Sequence, residues 1–231
     1  MHWPARQLKI SSSFLSRMKN NLLILIIFIF LNGTAHAGAY DDILVAAQND
    51  DTTAVIDLIK RGMDVNTTDR DGSSLLMIAA RNGNQDLVAK LVDNRASVNH
   101  RNRYGDSALA LASLKGHLIV VNLLLEAHTN VNPAGWKPLH YAAFAGHSAL
   151  VSLLLGHGAK INARAPNGQT ALMLAAKNGQ IEVVQLLTNA HASINLTDPN
   201  GKSAQQLAAQ QGNTDIADYL YRMDLSKSLS Q

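Results

Sequence analysis

Glycine recurs in this chain on a fixed step, and no other feature narrows the possible folds as far. Gly72, Gly105, Gly135, Gly168 and Gly201 are separated by 33, 30, 33 and 33 residues, and Gly83, Gly116, Gly146, Gly179 and Gly212 follow each of them by eleven. Asn66, Asn99, Asn132, Asn162 and Asn195, each preceded by Val or Ile, keep the same step. So do the pairs Ala79-Ala80, Ala142-Ala143, Ala175-Ala176 and Ala208-Ala209. A period of this size marks stacked structural units rather than one mixed core.

Each unit has a physical reading. The first glycine closes a tight turn that needs positive φ. A short helix follows, such as 74–82, whose paired alanines let a neighbouring helix approach closely. The second glycine ends that helix. A second helix, such as 85–93 or 117–126, carries a Leu/Val stripe (Val120, Val121, Leu124, Leu125) at helical spacing. One such unit cannot bury its own apolar face, but a stack can. The expected fold is therefore an all-α solenoid of about six helix-turn-helix units joined by short β-turn hairpins. The units read 40–69, 70–102, 103–132, 133–162, 163–195 and 196–221, within a domain spanning 38–221. The terminal units carry polar residues (Asp41, Asp42, Asp50 and Asp51; Gln205, Gln206, Gln210 and Gln211), as end caps require. Residues 222–231 show no repeat pattern and are expected to form a flexible tail.

These residues resemble the ankyrin repeat. The best copy is Gly135-Trp136-Lys137-Pro138-Leu139-His140-Tyr141-Ala142-Ala143, followed by Gly146-His147, Leu153-Leu154-Leu155 and Ile161-Asn162. The resemblance covers about residues 40–221. It implies a non-catalytic scaffold that binds another protein through its turn tips and first helices, which together form a concave groove. Departures carry their own expectations. Only one unit has both Pro138 and His140, so the hydroxyl–imidazole bond typical of the family is missing elsewhere. The glycine ending the second helix survives as Gly62 and Gly158 but becomes Arg95, His128 and His191, where positive φ is strained. The turn before Gly135 is three residues short, which predicts a notch at Asn132-Pro133-Ala134.

The first forty residues read as an address. Arg17 and Lys19 precede an unbroken apolar run from Leu22 to Leu31, and Ala35-His36-Ala37 offers a small-x-small cleavage site. This is the secretory pattern, with cleavage between Ala37 and Gly38. A ten-residue helix is about 15 Å long, half the hydrocarbon thickness, so a permanent membrane span is the weaker reading. Met18 begins a signal of more ordinary length, so the start is expected there. Residues 1–37 hold four of the 20 Lys and Arg and none of the 17 Asp and Glu, so their removal takes the net charge from +3 to −1. A nearly neutral product is a poor match for nucleic acid or an anionic membrane. With no cysteine, thiol catalysis and disulfides are excluded. The expectation is an exported protein, periplasmic or secreted, without a stable membrane span after processing. It is expected to be monomeric, with a protein partner that it supports or inhibits. The alternatives are a secreted effector acting on a host protein, or a periplasmic inhibitor or immunity protein of a toxin or envelope enzyme.

No motif places a nucleophile, a phosphate cradle or a zinc set, so no enzyme activity, catalytic residue, cofactor or metal is expected. A metal-dependent reading could use only His117, His140 and His147, and two stacked helix-start histidines supply too few ligands. The binding surface carried over from the resemblance centres on Tyr104, Leu114, Trp136 and Phe144. Its rim is Arg103, Asp106, Lys115 and Arg81, with Arg70, Lys177 and neighbouring positions beyond. Aromatics make up only 5% of the chain, and such residues dominate interface hot spots. The plainer reading is that Trp136 and Phe144 pack on each other to cover the short hairpin.

Overall fold

The computed structural model describes residue 38 and residues 40–229, with side chains through Ser226. The expected signal segment and Ala37 lie outside the described residues, and Gly38 is exposed. The chain divides into two compact units, the boundary falling between Ile43 and Leu44. The first is described only at 38 and 40–43, the opening of helix α1 (40–48). The second holds α2 (Thr52–Lys60), α3 (Leu75–Asn82), α4 (Gln85–Asp93), α5 (Ala108–Lys115), α6 (Leu118–Glu126) and α7 (Pro138–Ala145). It continues with α8 (Ser148–Gly156), α9 (Ala171–Lys177), α10 (Ile181–Asn189), α11 (Ala204–Gln210) and α12 (Thr214–Leu229). These pair as six helical hairpins, the all-α repeat solenoid expected from the period. Among the described residues the hairpin tips reach only isolated antiparallel bridges, Thr68 with Ser74 and Thr197 with Ser203.

First helices stack on first helices in the order α3, α5, α7, α9, α11, and second helices α2 to α12 form the parallel row. The alanine pairs make the close approach possible: Ala79, Ala80, Ala142, Ala143, Ala175 and Ala176 are all fully buried. Unit 3 has Ala112-Ser113 there, and the buried Ser113 hydroxyl donates to the Leu109 carbonyl at 2.7 Å, so its polarity is satisfied within its own helix. In the last unit Ala209 turns out to solvent beside Gln210 and Gln211, the polar face expected of a cap. In the first unit Asp50 takes positive φ at 59°, standing where later units have glycine, and Asp51 caps α2 by accepting from Ala54 N at 3.0 Å.

The glycine ending each first helix does two jobs. Gly83 and Gly116 both have φ of 82°, the left-handed cap. A Cβ at either would lie 2.7 Å from the next unit's histidine ring, His117 and His147 respectively. The asparagine series forms a ladder. The Oδ1 atoms of Asn66, Asn99, Asn132 and Asn162 accept from Ser97, Asn130, Lys160 and Ser193 N–H at 2.7–2.9 Å, each bond crossing into the following unit.

Arg95, His128 and His191 do adopt positive φ, at 65°, 57° and 65°, as the missing glycines required. At the short turn no hairpin backbone bond closes onto Gly135 among the described residues. The Arg101 side chain spans the gap instead, donating to Gly105 O at 2.8 Å and to Ala134 O at 2.7 Å. Arg164 repeats this two junctions later, donating to Gly168 O and Thr197 O. One boundary differs from expectation. Residues 222–229 continue α12 instead of leaving it at 221. No proline or glycine interrupts the chain after Gly212, and Arg222 Nε and Ser226 Oγ bond to carbonyls three or four residues back, so nothing local stops the helix.

Candidate functional site

The predicted surface residues fall on three kinds of support. Arg70, Arg103 and Tyr104 sit on turn tips. Asp69, Asn102 and Asp198 hold such tips by accepting from the N–H groups two and four residues on, for example Asp69 Oδ1 from Asp71 N at 2.9 Å and Ser73 N at 2.8 Å. Arg81, Leu114, Lys115 and Phe144 lie in the last turns of first helices. Trp136 and Asp106 lie just before the helices of units 4 and 3.

At the tips, Arg103 is ion-paired with Asp71 of the preceding unit, and its guanidinium lies 5.0 Å from the centre of the Tyr104 ring while bonding to the Tyr104 hydroxyl at 2.8 Å. Tyr104 remains 63% exposed. Arg70 is exposed and makes no side-chain bond among the described residues.

Trp136 is only half-buried, and Phe144 is not its ring partner. Trp136 stacks on Tyr141 with centroids 5.5 Å apart and meets His140 edge-on at 6.0 Å. Tyr141 in turn donates to Asp106 Oδ1 at 2.6 Å. Trp136, Tyr141 and Asp106 therefore form one wedge across the junction of units 3 and 4, and two expected surface residues are partly spent on holding it. Phe144 stands clear of that wedge and is 44% exposed. Tyr141 was missed in the sequence because its position alternates among Ile, Leu and Tyr and carries no periodic mark. Leu118 and Ile119, exposed at the start of α6, were missed for the opposite reason: they continue an apolar helix whose period assigns them no face.

The histidines considered as ligands are tied to backbone. His117 Nε2 pairs with Arg81 O at 3.0 Å and His147 Nε2 with Leu114 O at 3.2 Å. His140 is buried; its Nδ1 accepts from Lys137 N at 3.2 Å, and its Nε2 donates to Ala163 O of the next unit at 2.9 Å. Burial holds its pKa below the ordinary 6.5; the bond to Ala163 opposes this and the Lys137 charge adds to it. The hydroxyl that would partner such an imidazole is absent from unit 4, where Lys137 stands. In the other units the hydroxyl caps its own helix: Ser74, Ser107, Thr170 and Ser203 accept from the N–H three residues on at 3.2–3.3 Å.

A family model described as "Ankyrin repeats (3 copies)" matches this chain in overlapping stretches at 43–134, 97–165, 121–198 and 139–229. Two curated plant proteins match over a single repeat's length. A probable E3 ubiquitin-protein ligase, XBOS32, of Oryza sativa subsp. japonica is 64% identical over 36 residues. The E3 ubiquitin-protein ligase XBAT33 of Arabidopsis thaliana is 58% identical over 36 residues. Each match covers 16% of this chain and 7% of the relative. The likeness is to one repeat unit within much longer proteins.

Proposed function

The chain belongs to the ankyrin repeat family, whose repeats generally mediate protein–protein interaction, and on that premise we propose that it is an exported, non-enzymatic scaffold that binds one partner protein along its first helices and turn tips. The observation that carries this reading is the exposure of Tyr104 and Phe144 on consecutive units, beside half-buried Leu114 and Trp136, in a chain poor in aromatics. Tyrosine and tryptophan are among the residue types enriched at the energetic centres of protein interfaces. Export rests on the apolar run from Leu22 to Leu31 and the Ala35-His36-Ala37 site.

Two measurements test the proposal. N-terminal sequencing of the protein from its native source is expected to begin at Gly38; a chain beginning at Met1 or Met18 removes the export arm. Affinity capture from the surrounding compartment is expected to retain one protein on the wild type and lose it on Phe144→Ala. Equal retention by both proteins moves the site off the first helices.

A further inference from the structure

Taking the glycine that ends each first helix as reference, the residue two positions before it is Arg81 in unit 2, Leu114 in unit 3, Phe144 in unit 4 and Lys177 in unit 5. The reference glycines Gly83, Gly116, Gly146 and Gly179 share φ values of 75–82°, so these four side chains occupy equivalent places on consecutive, directly packed helices. They form one row: cation, apolar, apolar, cation. Arg81 and Lys177 are exposed, and their charged groups make no hydrogen bond or ion pair among the described residues; Lys115, exposed beside Leu114, is likewise unpaired.

The row carries no carboxylate of its own, and Asp50, after the first helix of unit 1, accepts from Asn82 Nδ2 at 3.1 Å. Helices α3, α5, α7, α9 and α11 contain no Asp or Glu, whereas Asp86, Glu126, Glu182, Asp215 and Asp218 lie on the row of second helices. The tip acids are already engaged: Asp69 and Asp198 by turn N–H groups, Asp71 by Arg103, Asp106 by Tyr141. The first helices of units 2 to 5 thus present Arg81, Lys115 and Lys177 without an acid among them, while other exposed cations such as Lys60, Arg95 and Lys160 lie off this face.

We infer that this row binds an extended, acidic polypeptide segment carrying apolar side chains between its carboxylates. The inference rests on the scaffold reading and gives its partner a chemistry. Adjacent packed helices lie about 10 Å apart, so the row is about 30 Å long. An extended segment in the polyproline II conformation advances about 3.1 Å per residue and returns every third side chain to the same side. The matching sequence therefore has acids about nine residues apart, with apolar residues about three and six positions after the first acid. A nucleic acid fits less well, because two apolar side chains fill the middle of the row and repeated phosphates would meet cations mainly at its ends.

The test is selection of a random twelve-residue peptide library on the wild-type protein, followed by affinity measurement of the winners on Arg81→Glu/Lys177→Glu. Both substituted side chains are exposed and unpaired, so the melting temperature is expected to stay unchanged. Lys160→Glu, at an exposed site off the row, serves as the charge control. Enrichment of Asp and Glu around apolar residues, at least a tenfold weaker affinity on the double variant, and no loss on Lys160→Glu support the inference. Winners without excess acid, equal binding to the double variant, or tighter binding of a twenty-nucleotide oligothymidylate overturn it. If the double variant keeps the native partner while Phe144→Ala loses it, the acidic chemistry is wrong and the scaffold reading stands. If the wild type retains no protein partner at all, it is the scaffold reading that falls.

Discussion

The Tyr141 hydroxyl donates to the Asp106 carboxylate across 35 residues of sequence, joining unit 4 to unit 3 at the place where the intervening turn is shortest. Burial first, then that bond and the nearby negative charge, raise the phenol's pKa above the ordinary 10. The folded state thus favours neutral Tyr141, and its contribution is whole below pH 10 and is lost as the pH climbs through the raised value. Tyr141→Phe is expected to cost about 1 kcal/mol near neutrality, since Asp106 is half-exposed and water can replace the lost donor. It should also remove part of the alkaline decline. Urea unfolding at pH 7 and pH 11 measures both.

Trp136 and Phe144 separate under substitution. Trp136→Ala strips a stacked partner from Tyr141 and is expected to cost about 1–2 kcal/mol of stability. Phe144→Ala should leave the melting temperature nearly unchanged and act on partner binding. Equal thermal losses for the two variants would mean that Phe144 is packed after all.

Two glycines with the same φ of 82° should respond differently. At Gly158 a Cβ meets nothing within 4 Å, so Gly158→Ala isolates the cost of the left-handed backbone, about 1 kcal/mol. At Gly116 the new Cβ also collides with His147, which must swing away and give up its bond to Leu114 O; about 2–3 kcal/mol is expected. Chemical denaturation of the two variants side by side decides the matter.

His140 should make the protein acid-sensitive. Its folded pKa is depressed, so the unfolded chain takes up a proton first. Stability is then whole above about pH 6.5 and falls as the pH drops below it. Protonation also places a hydrogen on Nδ1, where the ring now accepts from Lys137 N–H. His140→Gln is expected to flatten the difference in unfolding midpoint between pH 7.5 and pH 5. A difference as large as the wild type's would assign the acid effect to other groups.

What could be read from the sequence is what recurs at the period. The left-handed caps at Arg95, His128 and His191 were legible because five series of residues fixed where a helix had to end. The ladder positions Asn66 to Asn162 were legible as a series, though their bonding was not. What escaped depends on lateral distance between units. Nothing along the chain says that Trp136 reaches Tyr141 rather than Phe144, or that Asp106 is held by a hydroxyl 35 residues on. Arg101 was unreadable for the same reason: its partner, the Ala134 carbonyl, lies 33 residues on. The end of α12 escaped because a helix leaving a stack no longer needs the pattern that announced the others.

In the asparagine ladder the acceptor on one unit takes its hydrogen from the main chain of the next, and the residues that supply it are Ser97, Asn130, Lys160 and Ser193, three residue types that all offer the same backbone amide. The coupling is therefore indifferent to the identity of the neighbour. A unit copied, deleted or exchanged between any two of these junctions finds its amide waiting, and what must be re-matched are the side-chain pairs elsewhere on the junction, such as Asp106 with Tyr141 and Asp71 with Arg103. Along the ladder, then, the coupling between units places no demand on the first-helix row, which is free to differ by one residue per copy.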